Sequence, residues 1–162
     1  FMIWGPNSKE DTETFLKDCM KKAELNPRRA YDYAITLKQP GEDVDKPGKV
    51  IGGCGIYLSK RRKIGELGWI LHRDYWKQGI AAEVGLALLH YGFTSLGLHR
   101  LYAICNADNY GSYRVMEKLG MRREAHLIQA RYGRVGTKQM WYDTFEYAIL
   151  KEEWEARQIS ET

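Results

Sequence analysis

The sequence predicts a single mixed α/β domain, and three observations predict it. Segments of strand-like alternation and segments of helical spacing follow one another along the whole chain. Two strand-like stretches, Lys49 to Leu58 and Glu66 to Leu71, are joined by a short basic turn and should lie antiparallel. A helix then separates the second stretch from another strand, Leu98 to Asn106, which makes those two parallel neighbours in one sheet. With 162 residues, 44% hydrophobic and 28% charged, the chain can bury one core, and no repeat or low-complexity segment divides it.

Each element has its own signal. Ser8, three residues ahead of Asp11, has the spacing of a capping box and opens a helix carrying Phe15, Leu16, Cys19 and Met20, which Pro27 ends. Tyr31 to Leu37 is aromatic and β-branched, as a strand requires. Pro40 to Gly48 combines Pro, Gly and charges and reads as a solvated loop. In the strand Glu66 to Leu71, Glu66, Gly68 and Ile70 face one way, and Leu67, Trp69 and Leu71 the other. A helix of about four to five turns begins near Gly79, is apolar on more than one side, and stops at Gly97. A second helix places Ser112, Val115, Met116 and Leu119 on one face and closes at Gly120. Arg122 to Tyr132 and Met140 to Leu150 form the last strands around Gly133–Gly136, and the charged tail from Lys151 is helical for a turn or two.

The bulk numbers exclude several classes. No apolar run approaches the roughly 20 residues of a membrane span, and the start lacks the basic and apolar segments of a signal peptide. Cys19, Cys54 and Cys105 have neither disulfide-framework nor metal-ligand spacing, which favours reduced thiols in a cytoplasm and no bound metal. The net charge, 25 − 21 = +4, is mild, and the basic clusters Lys60–Lys63 and Arg122–Arg123 sit among acids. This pattern does not point to a nucleic acid as main partner, whereas an anionic small ligand needs no more charge than this. The helix mouth at Gly79 supplies such a ligand with unpaired N–H groups and the positive end of a helix dipole.

Three pieces of sequence carry a family resemblance: Trp76-Lys-Gln-Gly-Ile-Ala-Ala-Glu83, Gly97-Leu-His-Arg-Leu101, and Asp108-Asn-Tyr-Gly-Ser-Tyr-Arg-Val-Met-Glu-Lys-Leu-Gly120. In this order and spacing, Glu66 to Met121 resembles the acetyl-CoA-binding core of the GNAT N-acetyltransferases, within them the RimJ/RimL-like branch. Trp4-Gly5-Pro6 and Asp143 with Glu146–Leu150 are weaker echoes. The resemblance implies a mixed central sheet with a splayed strand pair and flanking helices. Its members open with a strand and a helix before Trp-Gly-Pro, so here the first strand and helix are expected to be missing, and the sheet edge is left open. Where the wider superfamily has Arg or Gln, this chain has Trp76, which puts weight on backbone donors for the phosphate. Met121 replaces the branch's usual Phe.

The resemblance assigns roles. Acetyl-CoA is the implied cosubstrate, its pyrophosphate held by backbone N–H groups of Gln78, Gly79, Ile80, Ala81 and Ala82, with Lys77 adding charge nearby. Backbone groups of Trp69, Ile70 and Leu71, opposite Ile104 to Asn106, would pair with the pantetheine arm, and Asn109 would touch it. Ser112 would lie near the thioester sulfur and protonate or hydrogen-bond the leaving thiolate, with Tyr113 a second candidate donor. Helix capping by Asn109, and a backbone bond from Ser112, are the structural alternatives.

The acceptor implied is a primary amine, either a protein N-terminal α-amine or a small-molecule amine. At pH 7 a lysine-like amine costs roughly 4–5 kcal/mol to deprotonate and an α-amine only about 1. Glu66 is the best candidate base; solvent exposure or pairing with Arg61 or Arg62 is its structural alternative. His72 is a weaker base candidate. Cys105 reads better as a core thiol than as an acyl carrier. Trp141, Tyr142 and Asp143 border the acceptor site by family position. The rival functional reading is a non-catalytic acyl-CoA-binding module, and either a monomer or a homodimer suits the open edge.

Overall fold

The computed structural model describes residues 7–38, 48–60, 63–136 and 138–160. Trp4-Gly5-Pro6, most of the Pro40–Gly48 loop, and Arg61 and Arg62 lie outside them. The elements run α1 (Lys9–Glu24), β1 (Ala30–Leu37), β2 (Lys49–Leu58), β3 (Ile64–Leu71), α2 (Ile80–His90), β4 (Arg100–Asn106), α3 (Tyr110–Lys118), β5 (Arg122–Val135), β6 (Lys138–Leu150) and α4 (Lys151–Ser160). Six strands form one sheet in the order β1-β2-β3-β4-β6-β5. As expected, β2 and β3 are antiparallel and β3 and β4 parallel; every other neighbouring pair is antiparallel.

The expected cap of α1 is present in both directions. Ser8 Oγ accepts the Asp11 N–H at 3.0 Å, and Asp11 Oδ2 accepts the Ser8 N–H at 2.9 Å. The helix buries no residue, however, and Phe15, Leu16 and Met20 are exposed. The core lies on the opposite face of the sheet. There Leu67, Leu101, Ala103, Cys105, Tyr147 and Ile149 meet Leu88, Leu89 and Phe93 from the α2 segment and Met116 and Leu119 from α3. The alternation expected of Glu66–Leu71 is thus real: Leu67 and Trp69 face this core, and Glu66 the other side.

Two differences from the expectation concern packing. The long helix after Gly79 is not uniform: after His90 it widens into one π-helical turn, Tyr91–Ser95. That turn sets Gly92 so close to β4 that an added Cβ would lie 2.8 Å from a Leu101 methyl group. The final hairpin runs further than Tyr132 and Met140, pairing as far as Val135 and Lys138. The tail helix is also longer than expected, and its Trp154 packs against Phe93 at 5.5 Å. Among the described residues no helix is long and apolar enough to cross a membrane.

Candidate active site

The parallel pair β3–β4 stays together for only three registered positions, Ile64↔Arg100, Gly65↔Leu101 and Glu66↔Tyr102. Beyond them β3 continues beside β2 as far as Leu71, while β4 continues beside β6 as far as Asn106. A gap opens between the two strands, and at its closed end lies a slot of about 140 Å³ lined by Glu66, Leu67, Gly68, Trp69, Ala103, Ile104, Ser112 and Met116. A larger groove, about 510 Å³, lies on the far side of α2 against β1. It is lined chiefly by apolar and aromatic side chains; carboxylate and hydroxyl chemistry meet in the smaller slot.

The backbone phase decides which groups edge the gap. His72 N–H donates to the Ile51 carbonyl at 2.8 Å, so alternate residues Ile70 and Gly68 also turn their backbone groups to β2. A Cβ added at Gly52 would collide with the Ile70 carbonyl, which places that carbonyl on the β2 side. This corrects the expectation for Ile70: Leu67, Trp69 and Leu71 edge the gap. On β4, Ala107 N–H donates to the Asp143 carbonyl of β6 at 2.9 Å, so Ile104 and Asn106 face the gap. The Leu71 carbonyl is already occupied by the Trp76 indole N–H at 2.8 Å. An extended, amide-bearing chain entering the gap would find alternating donors and acceptors on both walls.

Glu66 reaches the slot from the face opposite the core, and Ser112 reaches it from α3 on the core face. The Tyr102 hydroxyl donates to Glu66 Oε2 at 3.0 Å. Burial first, and then the Glu66 charge, push the Tyr102 hydroxyl up to about 12, so it stays a neutral donor at working pH. Burial pushes the Cys105 thiol up to about 11, against a smaller lowering influence of the neighbouring Ser112 hydroxyl. A thiol held that high is a poor nucleophile at neutral pH, as a core reading of Cys105 requires.

Past the open end of the gap, the chain from Trp76 prepares the mouth of α2. Lys77 and Gly79 both take left-handed φ, 60° and 85°. For Gly79 the backbone angle is the requirement, since an added Cβ would meet open space. The Ala82 and Glu83 N–H groups donate to the Gly79 carbonyl at 2.9 and 3.1 Å. Ala82 is thereby drawn into the helix, contrary to its expected place among the anion donors. The N–H groups ahead of it, those of Gln78, Gly79, Ile80 and Ala81, precede these first helical bonds and lie at the helix's positive end. Lys77 is exposed beside them.

The remaining candidates are distributed around this frame. Asn109 caps α3, its Oδ1 accepting the Ser112 N–H at 3.2 Å, so the capping alternative is realised. Asn106 is buried, and its Oδ1 accepts the Asp108 N–H at 2.8 Å. Tyr113 makes edge-to-face contacts with Tyr110 and Phe145, with centroids 5.2 and 5.6 Å away, and is not among the slot's lining residues. His72 is exposed and caps the one-turn 3₁₀ helix Arg73–Tyr75. Asp143 fixes a bulge in β5, accepting from Gln129 N–H and pairing with His126, each at 2.8 Å. Trp141 is exposed and stacks on Tyr132. Sequence reasoning overlooked Tyr102, yet pairing β4 in parallel register with β3 from Ile64 would have set it beside Glu66.

A family model described as acetyltransferase (GNAT) domain matches residues 1–122. The "Uncharacterized N-acetyltransferase YnaD" of Bacillus subtilis is 43% identical over 89 residues, 55% of this chain and 50% of that protein. The chain thus spans about half the length of this curated relative. A GNAT-family acetyltransferase structure from Bacillus anthracis superimposes with a TM-score of 0.75 at 32% identity, covering 94% of this chain and 81% of that one. Spermidine N-acetyltransferase from Vibrio cholerae, solved with CoA and spermine, shares the fold with a TM-score of 0.74 at 17% identity. That likeness covers 94% of this chain and 82% of the other.

Proposed function

The chain belongs to the GNAT acetyltransferase domain family, and on that premise we propose that it transfers acetyl from acetyl-CoA to a primary amine by direct attack. One observation carries the reading. The slot at the parting of β3 and β4 is lined from one face by a carboxylate, Glu66, and from the other by a hydroxyl, Ser112.

In this reading the pantetheine arm lies in the gap, pairing with backbone groups of Trp69 and Ile104 and with those of Leu71 and Asn106 left free. The pyrophosphate sits on the N–H groups of Gln78 to Ala81, with Lys77 nearby. The acceptor approaches from the Glu66 face, and its neutral nitrogen attacks the thioester carbonyl. Glu66 takes the proton, directly or through a water, as the C–N bond forms. When the C–S bond breaks, the thiolate departs toward Ser112, whose hydroxyl donates to it. The direct route also leaves Cys105 without a covalent role. Acceptors of this reading are a protein N-terminal α-amine, as in the RimJ/RimL-like branch, or a small-molecule amine.

The test is thiol release from acetyl-CoA against N-terminal peptides, lysine peptides, spermidine and aminoglycosides, with acetyl-CoA binding measured in parallel. Turnover with one class names the acceptor. Binding without turnover on any amine sinks the transfer reading and leaves an acyl-CoA-binding module.

A further inference from the structure

We infer that Tyr102 is the positioning residue of the site, holding one oxygen of Glu66 so that the other faces the slot. The inference rests on the reading of Glu66 as the base, and it follows from where the two side chains sit in the sheet. Glu66 and Tyr102 are register partners at the last rung before β3 and β4 part. Parallel partners project from the same face, so the tyrosine stands beside the glutamate on the face from which the acceptor comes. Its hydroxyl lies 3.0 Å from Oε2. Glu66 lines the slot and Tyr102 does not; the hydroxyl engages Oε2, which leaves Oε1 for the acceptor.

The surroundings keep this arrangement one-directional. Glu66's other cross-strand neighbour, Tyr57 of β2, gives its hydroxyl to Asp32 at 2.6 Å and so is turned away from Glu66. Behind Tyr102, the Arg100 guanidinium lies 6.0 Å from the ring centroid and is bound by Glu146 of β6 and Glu124 of β5 at 3.1 and 2.7 Å. The guanidinium on that side is therefore already paired, and the Glu146 carboxylate it binds is the other negative charge acting on Tyr102. A carboxylate at the mouth of a widening gap has freedom to rotate, and a fixed donor on one oxygen removes it. Tyr102 touches neither acetyl-CoA nor acceptor in this scheme and acts only through Glu66.

The experiment compares Tyr102→Phe, Glu66→Gln and the double variant in the full chain, using the amine panel above. Tyr102→Phe keeps the ring and its packing. It is expected to lower kcat about tenfold, the order of one lost hydrogen bond, with KM for acetyl-CoA unchanged. In the Glu66→Gln background the same change is expected to lower kcat no further, because the tyrosine has nothing left to position.

A second arm needs no acceptor. The ring Cζ of Tyr102, identified by its loss in Tyr102→Phe, is followed by 13C NMR. It is expected to titrate near 12 in the wild type and clearly lower in Glu66→Gln, where the neighbouring negative charge is gone. An unchanged midpoint in Glu66→Gln overturns the contact and the proposal with it. Wild-type kcat in Tyr102→Phe, or an equal loss in both backgrounds, overturns the positioning role while leaving Glu66 as base intact. Full activity of Glu66→Gln brings down the base reading itself, and the proposal falls with it.

Discussion

At the scale of single residues, the proposed chemistry rests on side chains reaching one slot from the two faces of a sheet. Glu66→Gln is expected to lose most turnover while acetyl-CoA affinity, measured by calorimetric titration, stays unchanged. Ser112→Ala is expected to reduce kcat with little effect on folding, since the α3 cap uses the Ser112 backbone N–H and the Asn109 side chain. Equal steady-state rates in Ser112→Ala and wild type would reduce Ser112 to a structural residue of α3. Gly79→Ala separates binding from chemistry. At φ 85° an alanine costs on the order of 1 kcal/mol even though open space surrounds the position. The expected result is weaker acetyl-CoA binding, with kcat at saturation nearly preserved.

At the scale of elements, each helix depends on a different support. Asn109→Ala removes the cap of α3 at a cost of about 1 kcal/mol, and because α3 carries Ser112 at its first turn, activity should fall along with Tm. The capping box of α1 is as well formed, but that helix buries none of its residues. Ser8→Ala should therefore speed amide exchange in α1 while barely moving the global unfolding midpoint. The close approach of α2 to α3 is set by Gly85, where an added Cβ would lie 2.5 Å from a Leu119 methyl group. Gly85→Val should be destabilising through overpacking, read as a lower Tm.

At the scale of the whole molecule, acid sensitivity follows from the carboxylates that hold the last two strands and α4 in place. Arg100 and Arg122 hold Glu124 below the usual carboxylate range. The Leu150 N–H and Arg122 do the same for Glu153, and the Gln129 N–H and His126 for Asp143. For groups depressed in the fold, the stabilisation is complete above their unfolded values and is lost as pH falls through the lower folded ones. Tm should thus be flat near neutrality and drop once pH passes below about 4. Glu124→Gln should lower Tm at pH 7 and make the acid drop shallower.

The order of elements was legible because period and punctuation are local properties. Ser8 with Asp11, the alternation through Glu66–Leu71, and glycines at positions 79, 97 and 120 each announce a backbone choice within a few residues. The edge facing the gap was not legible. Whether Ile70 or Leu71 offers its carbonyl depends on the ladder phase with β2, which side-chain alternation within one strand does not reveal. Ala82 was misplaced for a similar reason, since the first turn's bonding depends on how tightly Gly79 closes it. The Tyr102 contact was hidden by register, fixed only once both strands are in the sheet.

The brief pairing of β3 with β4 has a mechanical consequence. Three rungs hold together two half-sheets, β1-β2-β3 and β4-β6-β5, each laddered more extensively within itself. A molecule lying in the gap would splice the two halves, adding rungs that the polypeptide does not supply. Occupancy should therefore be recorded far from the reacting atoms, as slower hydrogen–deuterium exchange at Trp69 and Ile104 and as tighter coupling between the halves during unfolding. On this view the proposed cosubstrate would also serve as a temporary seventh strand, and its departure would open the seam again.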